Sequence, residues 1–354
     1  MFTRTKHIVN ETIRFFLFTF GTFRNFLYSC YVARLTSAGW VAHFLLHCPS
    51  VKKHLDSLNG DKEREKSTLF SKLTVNWLLP FFVGTTNKRV LVRFLDLRPV
   101  FSCVLKCDYC FVMSPLLKGY VPAEELIEWI ETWSKKVVPL EFMVTGGEPL
   151  LHPELVRILD AARKAWKHSR LELITNGMLL TKCQPAVFEA IRANRFDVLV
   201  TKHFDNPEYN EKFWAGIDVL KKEKIAFSIR RSDKYWFKAY QKDENGKPIP
   251  FHSNDPCKSH KNCFNKINVL ADNSLWYCCL LPNTRFQDRA GILGDGWQEI
   301  LDHRPLTSEN SRTEIIRYLY GGVRKECHLC PEHYEYIVPC ELGAADSPQA
   351  KRKL

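Results

Sequence analysis

The stretch that decides the fold is Val90-Leu-Val-Arg-Phe-Leu-Asp-Leu97, which is followed, after five intervening residues, by Cys103-Val-Leu-Lys-Cys107-Asp-Tyr-Cys110. The first segment is a short, largely apolar run and predicts a buried β-strand. The second places three cysteines on the loop that leaves this strand. Three closely spaced thiolates can bind three irons of a cubane cluster and leave the fourth iron open to another ligand. Zinc is the alternative, although structural zinc takes four ligands and no fourth Cys or His lies nearby in sequence.

From this strand onward, apolar runs alternate with helical patterns. The strand-like runs cover residues 90–97, 139–145, 171–175, 197–201 and 225–230, and the helical patterns lie near 122–136, 153–167, 185–193 and 208–222. Repeated strand–helix units predict an α/β fold with a parallel sheet, either barrel-like or doubly wound. We expect its functional site at the carboxyl ends of the strands.

Two further motifs stand at such strand ends. Thr145-Gly-Gly-Glu-Pro149 closes the second predicted strand, and Thr175-Asn-Gly177 closes the third. Adjacent glycines let a ligand approach the backbone, and the acid beside them can accept hydrogen bonds from an ammonium group. The polar groups of the third motif can bind a sugar hydroxyl. Each motif taken singly also fits an ordinary turn.

Taken together and in this order, the three motifs resemble the radical S-adenosylmethionine (SAM) superfamily. Its hallmarks are a Cys-x3-Cys-x2-Cys loop with an aromatic residue before the last cysteine, and a Gly-Gly-Glu-Pro after the second strand. The resemblance covers roughly residues 90–232. It implies a partial (β/α)6 barrel similar to a TIM barrel and a 4Fe–4S cluster on Cys103, Cys107 and Cys110. The amino and carboxylate groups of SAM would chelate the open iron.

The resemblance also implies which residues contact the cofactor: Tyr109, Gly146, Gly147, Glu148, Thr175 and Asn176. The second motif would hold the methionyl ammonium group, and the third would lie near the ribose. Reduction of the cluster would cleave SAM to methionine and a 5'-deoxyadenosyl radical, which takes a hydrogen atom from the substrate.

The end of the fourth predicted strand departs from the family pattern. Many relatives have a Ser-Leu-Asp-Gly-like segment where this chain has Thr201-Lys-His-Phe-Asp205, so Lys202 or His203 could serve this protein's own substrate. Arg230 and Arg231 end the fifth strand. Three interpretations stay open for these arginines: contact with the cofactor carboxylate, contact with an anionic substrate, or a structural ion pair.

A second group of cysteines follows the loop at 242–256. One cysteine stands on each side of a predicted hairpin with a turn at Ala271-Asp-Asn-Ser274, and a Cys-x2-Cys comes later. Four thiolates suffice for an iron–sulfur cluster or a zinc site. The arrangement resembles the auxiliary-cluster modules called SPASM or twitch, which implies an auxiliary 4Fe–4S cluster on Cys263, Cys278, Cys327 and Cys330. Cys257, Cys279 and Cys340 are surplus to one site, so a second cluster stays open.

The net charge of +12 is concentrated at the two ends of the chain. Residues 1–100 hold 15 Lys and Arg against 6 Asp and Glu, and residues 351–353 are all basic. Phe16, Phe20, Phe23 and Leu27 recur at helical spacing. Arginines interrupt the apolar runs too often for a membrane span of roughly 20 residues. Residues 1–50 therefore suggest either peripheral contact with a membrane or packing against the catalytic domain.

We therefore expect four parts: an N-terminal helical basic region (1–88), a radical SAM core (89–240), a small cysteine-rich α+β auxiliary domain (241–340) and a disordered basic tail (341–354). The expected protein is a cytoplasmic oxidoreductase or transferase, with membrane association as an option, because nothing resembles a secretory signal. Flavodoxin or ferredoxin would donate the electron.

The sequence does not identify the substrate. A small molecule, a lipid or a glycan precursor is favoured, and maturation of a ribosomal peptide is the alternative. A non-enzymatic iron–sulfur or zinc protein that binds nucleic acid is an alternative of another class. It would explain the cysteines and the charge but not residues 146–148 or 175–177, so nucleic acid is disfavoured as a partner.

Overall fold

The structure is a computed structural model of the 354-residue chain. It describes residues 89–167, 169–232, 236–237, 240–250, 267–276, 283–293, 306–320 and 336–337. The predicted N-terminal region, all seven cysteines of the predicted C-terminal module and the basic tail lie outside the described residues. Within the part that is described, no helix is long and apolar enough to cross a membrane.

Five strands and four helices alternate in the first part of the described chain. They are β1 Val90–Leu97, α1 Ala123–Ser134, β2 Val137–Val144, α2 Leu155–Ala165, β3 Arg170–Thr175, α3 Pro185–Ala193, β4 Phe196–Lys202, α4 Pro207–Lys222 and β5 Phe227–Arg231. These bounds agree with the predicted strands and helices to within a few residues.

Short elements make up the rest of the described chain. They are β6 Trp236–Phe237, β7 Gln241–Lys242, β8 Pro248–Ile249, β9 Ile267–Ala271, β10 Ser274–Trp276, α5 Asn283–Arg289, α6 Arg312–Tyr320 and β11 Tyr336–Ile337. Strands β7 and β8 form a small antiparallel hairpin, and β6 pairs with β11.

Seven strands form the main sheet, in the order β10-β9-β1-β2-β3-β4-β5. Strands β9 and β1 to β5 are parallel, and β10 runs antiparallel to β9. The predicted α/β fold with a parallel, partial-barrel sheet is confirmed. The sixth parallel strand of the described residues, however, does not follow β5. Strand β9 lies beside β1 at the opposite end, with Phe94 paired to Ile267 and Leu97 to Leu270.

The predicted hairpin around residues 271–274 is present. Ala271 pairs with Ser274, and Asp272 and Asn273 both have a φ of +51°, as a tight two-residue hairpin turn requires. We assigned this hairpin to the C-terminal module, but in the structure it extends the core sheet. The boundary between 240 and 241 stays a prediction.

The helices cover one face of the sheet. Helix α1 buries Leu126, Ile130 and Trp133, whose spacing places them on one side of the helix. They pack in the main core with every second residue of the strands, such as Leu95 of β1 and Leu173 of β3. The intervening strand positions are more polar; they include Asp96, Glu141, Glu172, Asp197, Thr201 and Arg230.

Candidate functional site

The three sequence motifs meet at one edge of the sheet, because each follows the carboxyl end of a neighbouring parallel strand. Backbone hydrogen bonds join the second motif to the start of the cysteine loop: the amide of Gly147 donates to Val100 O at 2.7 Å, and that of Glu148 donates to Ser102 O at 2.9 Å. The side chain of Thr145 donates to Asp96 Oδ1 at 2.5 Å. These hydrogen bonds fix the second motif against the segment that follows β1.

The two glycines of the second motif are needed for this close approach. Gly146 has a φ of +114°, and a Cβ atom there would lie 2.6 Å from Val100 O. A Cβ atom on Gly147 would lie 2.2 Å from Ser102 O, which is too close for any side chain. We expected these glycines to admit a ligand, and in the structure they also admit the backbone of the cysteine loop.

Glu148 joins the second motif to the third from a fully buried position. Its Oε1 accepts hydrogen bonds from Thr175 Oγ1 at 2.8 Å and from the Leu150 amide at 3.1 Å, and its Oε2 accepts one from the Asn176 amide at 2.9 Å. Burial raises the pKa of Glu148 to about 7, although these hydrogen bonds act in the opposite direction. Its predicted contact with the methionyl ammonium group stays a prediction.

The cysteine loop presents one buried thiol, Cys107, and two partly buried thiols, Cys103 and Cys110. Burial raises the pKa of Cys103 to about 12 and the pKa of Cys107 well above its ordinary value, and the neighbouring thiols add to both shifts. Thiols in such surroundings become thiolates at neutral pH when a bound metal offsets the charge. The donor set therefore suits a metal centre better than a free nucleophile.

The spacing of the potential metal ligands is a second feature of this site. Among the described residues, no three Cys, His, Asp or Glu side chains lie close enough together to share one ion. A cubane cluster places each thiolate on a different iron, so its ligands stand further apart than the ligands of a single zinc ion. The assignment of the three thiols as ligands of an iron–sulfur cluster stays a prediction.

Residues that follow the fifth strand in sequence contact the cysteine loop. Tyr109 has a φ of +57°, and its amide donates to the hydroxyl of Tyr240 at 3.0 Å. The two rings lie 5.1 Å apart between centroids. Lys242 Nζ lies 2.9 Å from Asp108 Oδ1 and 5.2 Å from the centre of the Tyr109 ring. The sequence did not point to Tyr240 or Lys242, because neither belongs to a motif.

The ends of β4 and β5 bring several charged side chains together. The buried Lys202 Nζ lies 2.6 Å from Asp205 Oδ1, and Arg231 NH2 lies 3.9 Å from Asp205 Oδ2. The contact of Arg231 favours the ion-pair interpretation for that arginine, and Lys202, which the sequence offers as a substrate contact, also stands in an ion pair. Arg230 NH2 donates to Thr201 Oγ1 at 3.2 Å. Burial, with a smaller effect of the charge on Arg230, lowers the pKa of His203 to about 4.

Part of this chain is similar to known proteins. Residues 97–225 match the model of the radical SAM superfamily. GTP 3',8-cyclase of Microcystis aeruginosa is 35% identical over 146 residues, which make up 37% of this chain and 44% of that protein. GTP 3',8-cyclase of Aquifex aeolicus is 31% identical over 116 residues, or 31% of this chain and 35% of that protein. The chain thus spans less than half the length of these relatives.

Two solved structures are also similar to this chain. BtrN in complex with AdoMet and 2-DOIA has a TM-score of 0.42 and 19% identity, over 69% of this chain and 93% of BtrN. Native anSMEcpe with bound AdoMet and the Cp18Cys peptide has a TM-score of 0.32 and 22% identity, over 39% of this chain and 42% of that one. The family match contains all three motifs, so residues 97–225 are similar to the radical SAM superfamily, whose members use a 4Fe–4S cluster and SAM as cofactors.

Proposed function

We propose that this chain is a radical SAM enzyme that reductively cleaves SAM and abstracts a hydrogen atom from a substrate that is a small molecule, a lipid or a glycan precursor. Cys103, Cys107 and Cys110 would hold the 4Fe–4S cluster. When bound, the reduced cluster and SAM supply the 5'-deoxyadenosyl radical. The observation that carries the proposal is the junction of the three motifs, in which Asn176 contacts both Glu148 and Cys103.

The chain's own residues would position the cofactors and exclude water. The second motif fixes the path of the cysteine loop through Gly146 and Gly147, and Glu148 orients the third motif. A small apolar cluster packs beside the loop, formed by Val112, Met113, Tyr240, Phe286 and Ile292 with Tyr109 and Cys110 at its margin. An apolar shell of this kind limits solvent access to a metal centre and influences its reduction potential.

Arg230 is the candidate contact for the cofactor carboxylate or for an anionic group of the substrate. It is the next-to-last residue of β5, at the same edge as the motifs, and its side chain hydrogen-bonds to Thr201. A guanidinium group carries five N–H donors, so further donors remain for a carboxylate or a phosphate.

The proposal includes an auxiliary 4Fe–4S cluster on Cys263, Cys278, Cys327 and Cys330. The hairpin β9–β10 supports it, because this hairpin separates the first two cysteines in sequence and turns the chain back on itself. Such a cluster would exchange an electron with the substrate radical or bind the substrate. A zinc site is the competing outcome, and an iron count distinguishes the two.

The substrate is proposed only as a class. The relatives named GTP 3',8-cyclase match this chain over less than half of their length, so GTP is a first compound to assay rather than an assigned substrate. The aromatic, basic residues 1–50 support peripheral contact with a membrane from the cytoplasmic side, and hence a lipid or glycan precursor. Lipid vesicles that co-sediment the full chain but not a chain lacking residues 1–50 would support this contact; equal co-sedimentation of both would refute it.

The proposed function is tested anaerobically. The protein is reconstituted with iron and sulfide, treated with dithionite and SAM, and assayed for 5'-deoxyadenosine with and without GTP. We expect deoxyadenosine from the wild type and none from the triple variant Cys103→Ala, Cys107→Ala, Cys110→Ala. Iron should fall from about eight to about four per chain. Flavodoxin or ferredoxin should replace dithionite as the reductant.

Cys183→Ala is the matched control, because Cys183 is a partly buried free cysteine outside the loop. We expect it to keep both the iron content and the cleavage activity. Full iron and undiminished cleavage in the triple variant would contradict the proposal.

A further inference from the structure

The side chain of Asn176 is fixed between the third motif and the cysteine loop. Asn176 is 4% exposed. Its Oδ1 accepts a hydrogen bond from the Met178 amide at 3.0 Å, which leaves Nδ2 to donate to Cys103 Sγ at 3.4 Å. The orientation of an amide is assigned from such partners, and here the backbone donor determines it. Asn176 therefore presents N–H groups, and not its oxygen, to the sulfur.

A second N–H group points at the same sulfur, since the Leu105 amide donates to Cys103 Sγ at 3.4 Å. Hydrogen bonds to cluster sulfurs are one of the factors that set the reduction potential of iron–sulfur proteins. They stabilise the electron-rich reduced form because they draw electron density from the thiolate. The two donors would thus make a cluster on Cys103 easier to reduce.

The buried carboxyl group of Glu148 acts in the opposite direction. In its ionised form this carboxyl group disfavours negative charge on the sulfur of Cys103. Asn176 lies between the two groups, because its backbone amide donates to Glu148 Oε2 while its side chain donates to Cys103. One residue thus supplies a hydrogen-bond donor both to the carboxyl group of Glu148 and to the sulfur of Cys103.

We propose that Asn176 is a positioning residue for the cluster: it holds the Cys103 thiolate in place and raises the reduction potential of the bound 4Fe–4S cluster. The resemblance implies only that Asn176 lies near the ribose of SAM, so this role is additional. The inference rests on the proposed function, since it needs a cluster on Cys103.

The test is a potentiometric titration of reconstituted protein, followed by the electron paramagnetic resonance signal of the reduced cluster without substrate. Asn176→Ala removes the donor, and Asn176→Asp keeps the shape while it replaces the donor by a charged oxygen. At a fixed ambient potential, we expect about a tenfold lower ratio of reduced to oxidised cluster in Asn176→Ala, which is about 59 mV for one electron. Asn176→Asp should shift the ratio further in the same direction.

Asn194→Ala is the matched control. Asn194 is also buried, and its Nδ2 donates to Asp160 Oδ1 and Ala190 O at the end of α3, away from the motifs. Loss of the Asn194 side chain should lower the free energy of unfolding without changing the ratio of reduced to oxidised cluster. Loss of cluster binding in both Asn176 variants, with full loading in Asn194→Ala, would equally support the positioning role.

Wild-type ratios in both Asn176 variants, at full iron loading, would overturn the inference and leave the proposed function intact. A wild-type protein that binds no cluster would instead refute the proposed function. The wild-type iron count therefore separates the two failures.

Discussion

At the edge of the sheet, single side chains of three distant motifs contact one another directly. Glu148 accepts hydrogen bonds from Thr175 and from the backbone of Asn176, and Asn176 donates in turn to Cys103. A substitution at any of these positions therefore breaks hydrogen bonds to the neighbouring motif, whether or not a ligand is bound. Loss of one partner leaves a buried polar group unpaired, which costs about 1–3 kcal/mol.

The close approach of Gly147 to the backbone of Ser102 gives a prediction about folding stability. Gly147→Ala would force a Cβ atom against Ser102 O, so the cysteine loop must move. We expect a loss of about 3 kcal/mol in the free energy of unfolding, together with impaired cluster loading. Gly246→Ala is the control, because its Cβ atom would meet no atom within 4 Å and only its φ of +76° is strained. Urea unfolding that gives equal losses for the two variants would contradict the steric argument.

The partly buried His203 predicts a pH dependence of folding. Its pKa is about 4 in the folded chain against 6.5 ordinarily, so the unfolded chain binds the extra proton between these values. Stability should fall as the pH is lowered from about 6.5 towards 4, by roughly 1–2 kcal/mol after allowance for the exposed part of the ring. His203→Gln should flatten this loss in urea titrations at pH 7.5 and pH 5. An unchanged difference between the two pH values would refute the assignment to His203.

The sequence predicts the motif residues but not all of the contacts that they make. The motif positions follow from local pattern and from resemblance, and the structure does bring them together. The contact of Gly147 with Ser102 and the role of Tyr240 depend on how segments far apart in the chain approach each other. No local pattern contains that information.

At the scale of elements, the cysteine loop is held from two sides. The second motif fastens its start, and Tyr240 with Lys242 holds its later part around Tyr109. The left-handed backbone of Tyr109 is unfavourable for a non-glycine residue, so it persists only where neighbours hold it. The hydroxyl of Tyr240 stabilises this conformation by accepting a hydrogen bond from the Tyr109 amide.

Tyr240→Phe tests this hold. It removes the hydroxyl that accepts from the Tyr109 amide and should weaken local closure of the loop by about 1.4 kcal/mol, or roughly tenfold in exchange rate. Hydrogen–deuterium exchange at the Tyr109 amide measures the effect. Tyr120→Phe is the control, because Tyr120 is exposed. Unchanged protection of the Tyr109 amide in Tyr240→Phe would show that the loop is held by other contacts.

At the scale of the whole molecule, segments from both sides of residue 240 build one sheet. Strand β9 pairs with β1, and Trp133 of α1 donates from Nε1 to Asn273 O in the turn of the hairpin at 3.2 Å. The strand–helix alternation was predictable because its periodicity is local. The place of β9 beside β1 was not, since strand order depends on pairing across a long separation in sequence.

This shared sheet predicts that the core and the hairpin unfold together. Leu270 is fully buried, so Leu270→Ala should lower the free energy of unfolding of the whole core by about 2–5 kcal/mol in a single transition. Leu116→Ala, at a side chain that is 47% exposed, should change it by less than about 0.5 kcal/mol. Two separate transitions in circular dichroism, with only one of them shifted by Leu270→Ala, would show that the hairpin folds independently.

The pairing of β1 with β9 has a consequence for synthesis of the chain on the ribosome. Phe94 and its partner Ile267 lie about 170 residues apart, so one edge of β1 lacks this partner while the intervening chain is made. At roughly 5–20 residues per second, that interval lasts on the order of 10–30 s. An unpaired edge is a template for pairing with other chains. The nascent protein therefore passes through a period of aggregation risk, during which chaperones have time to bind it.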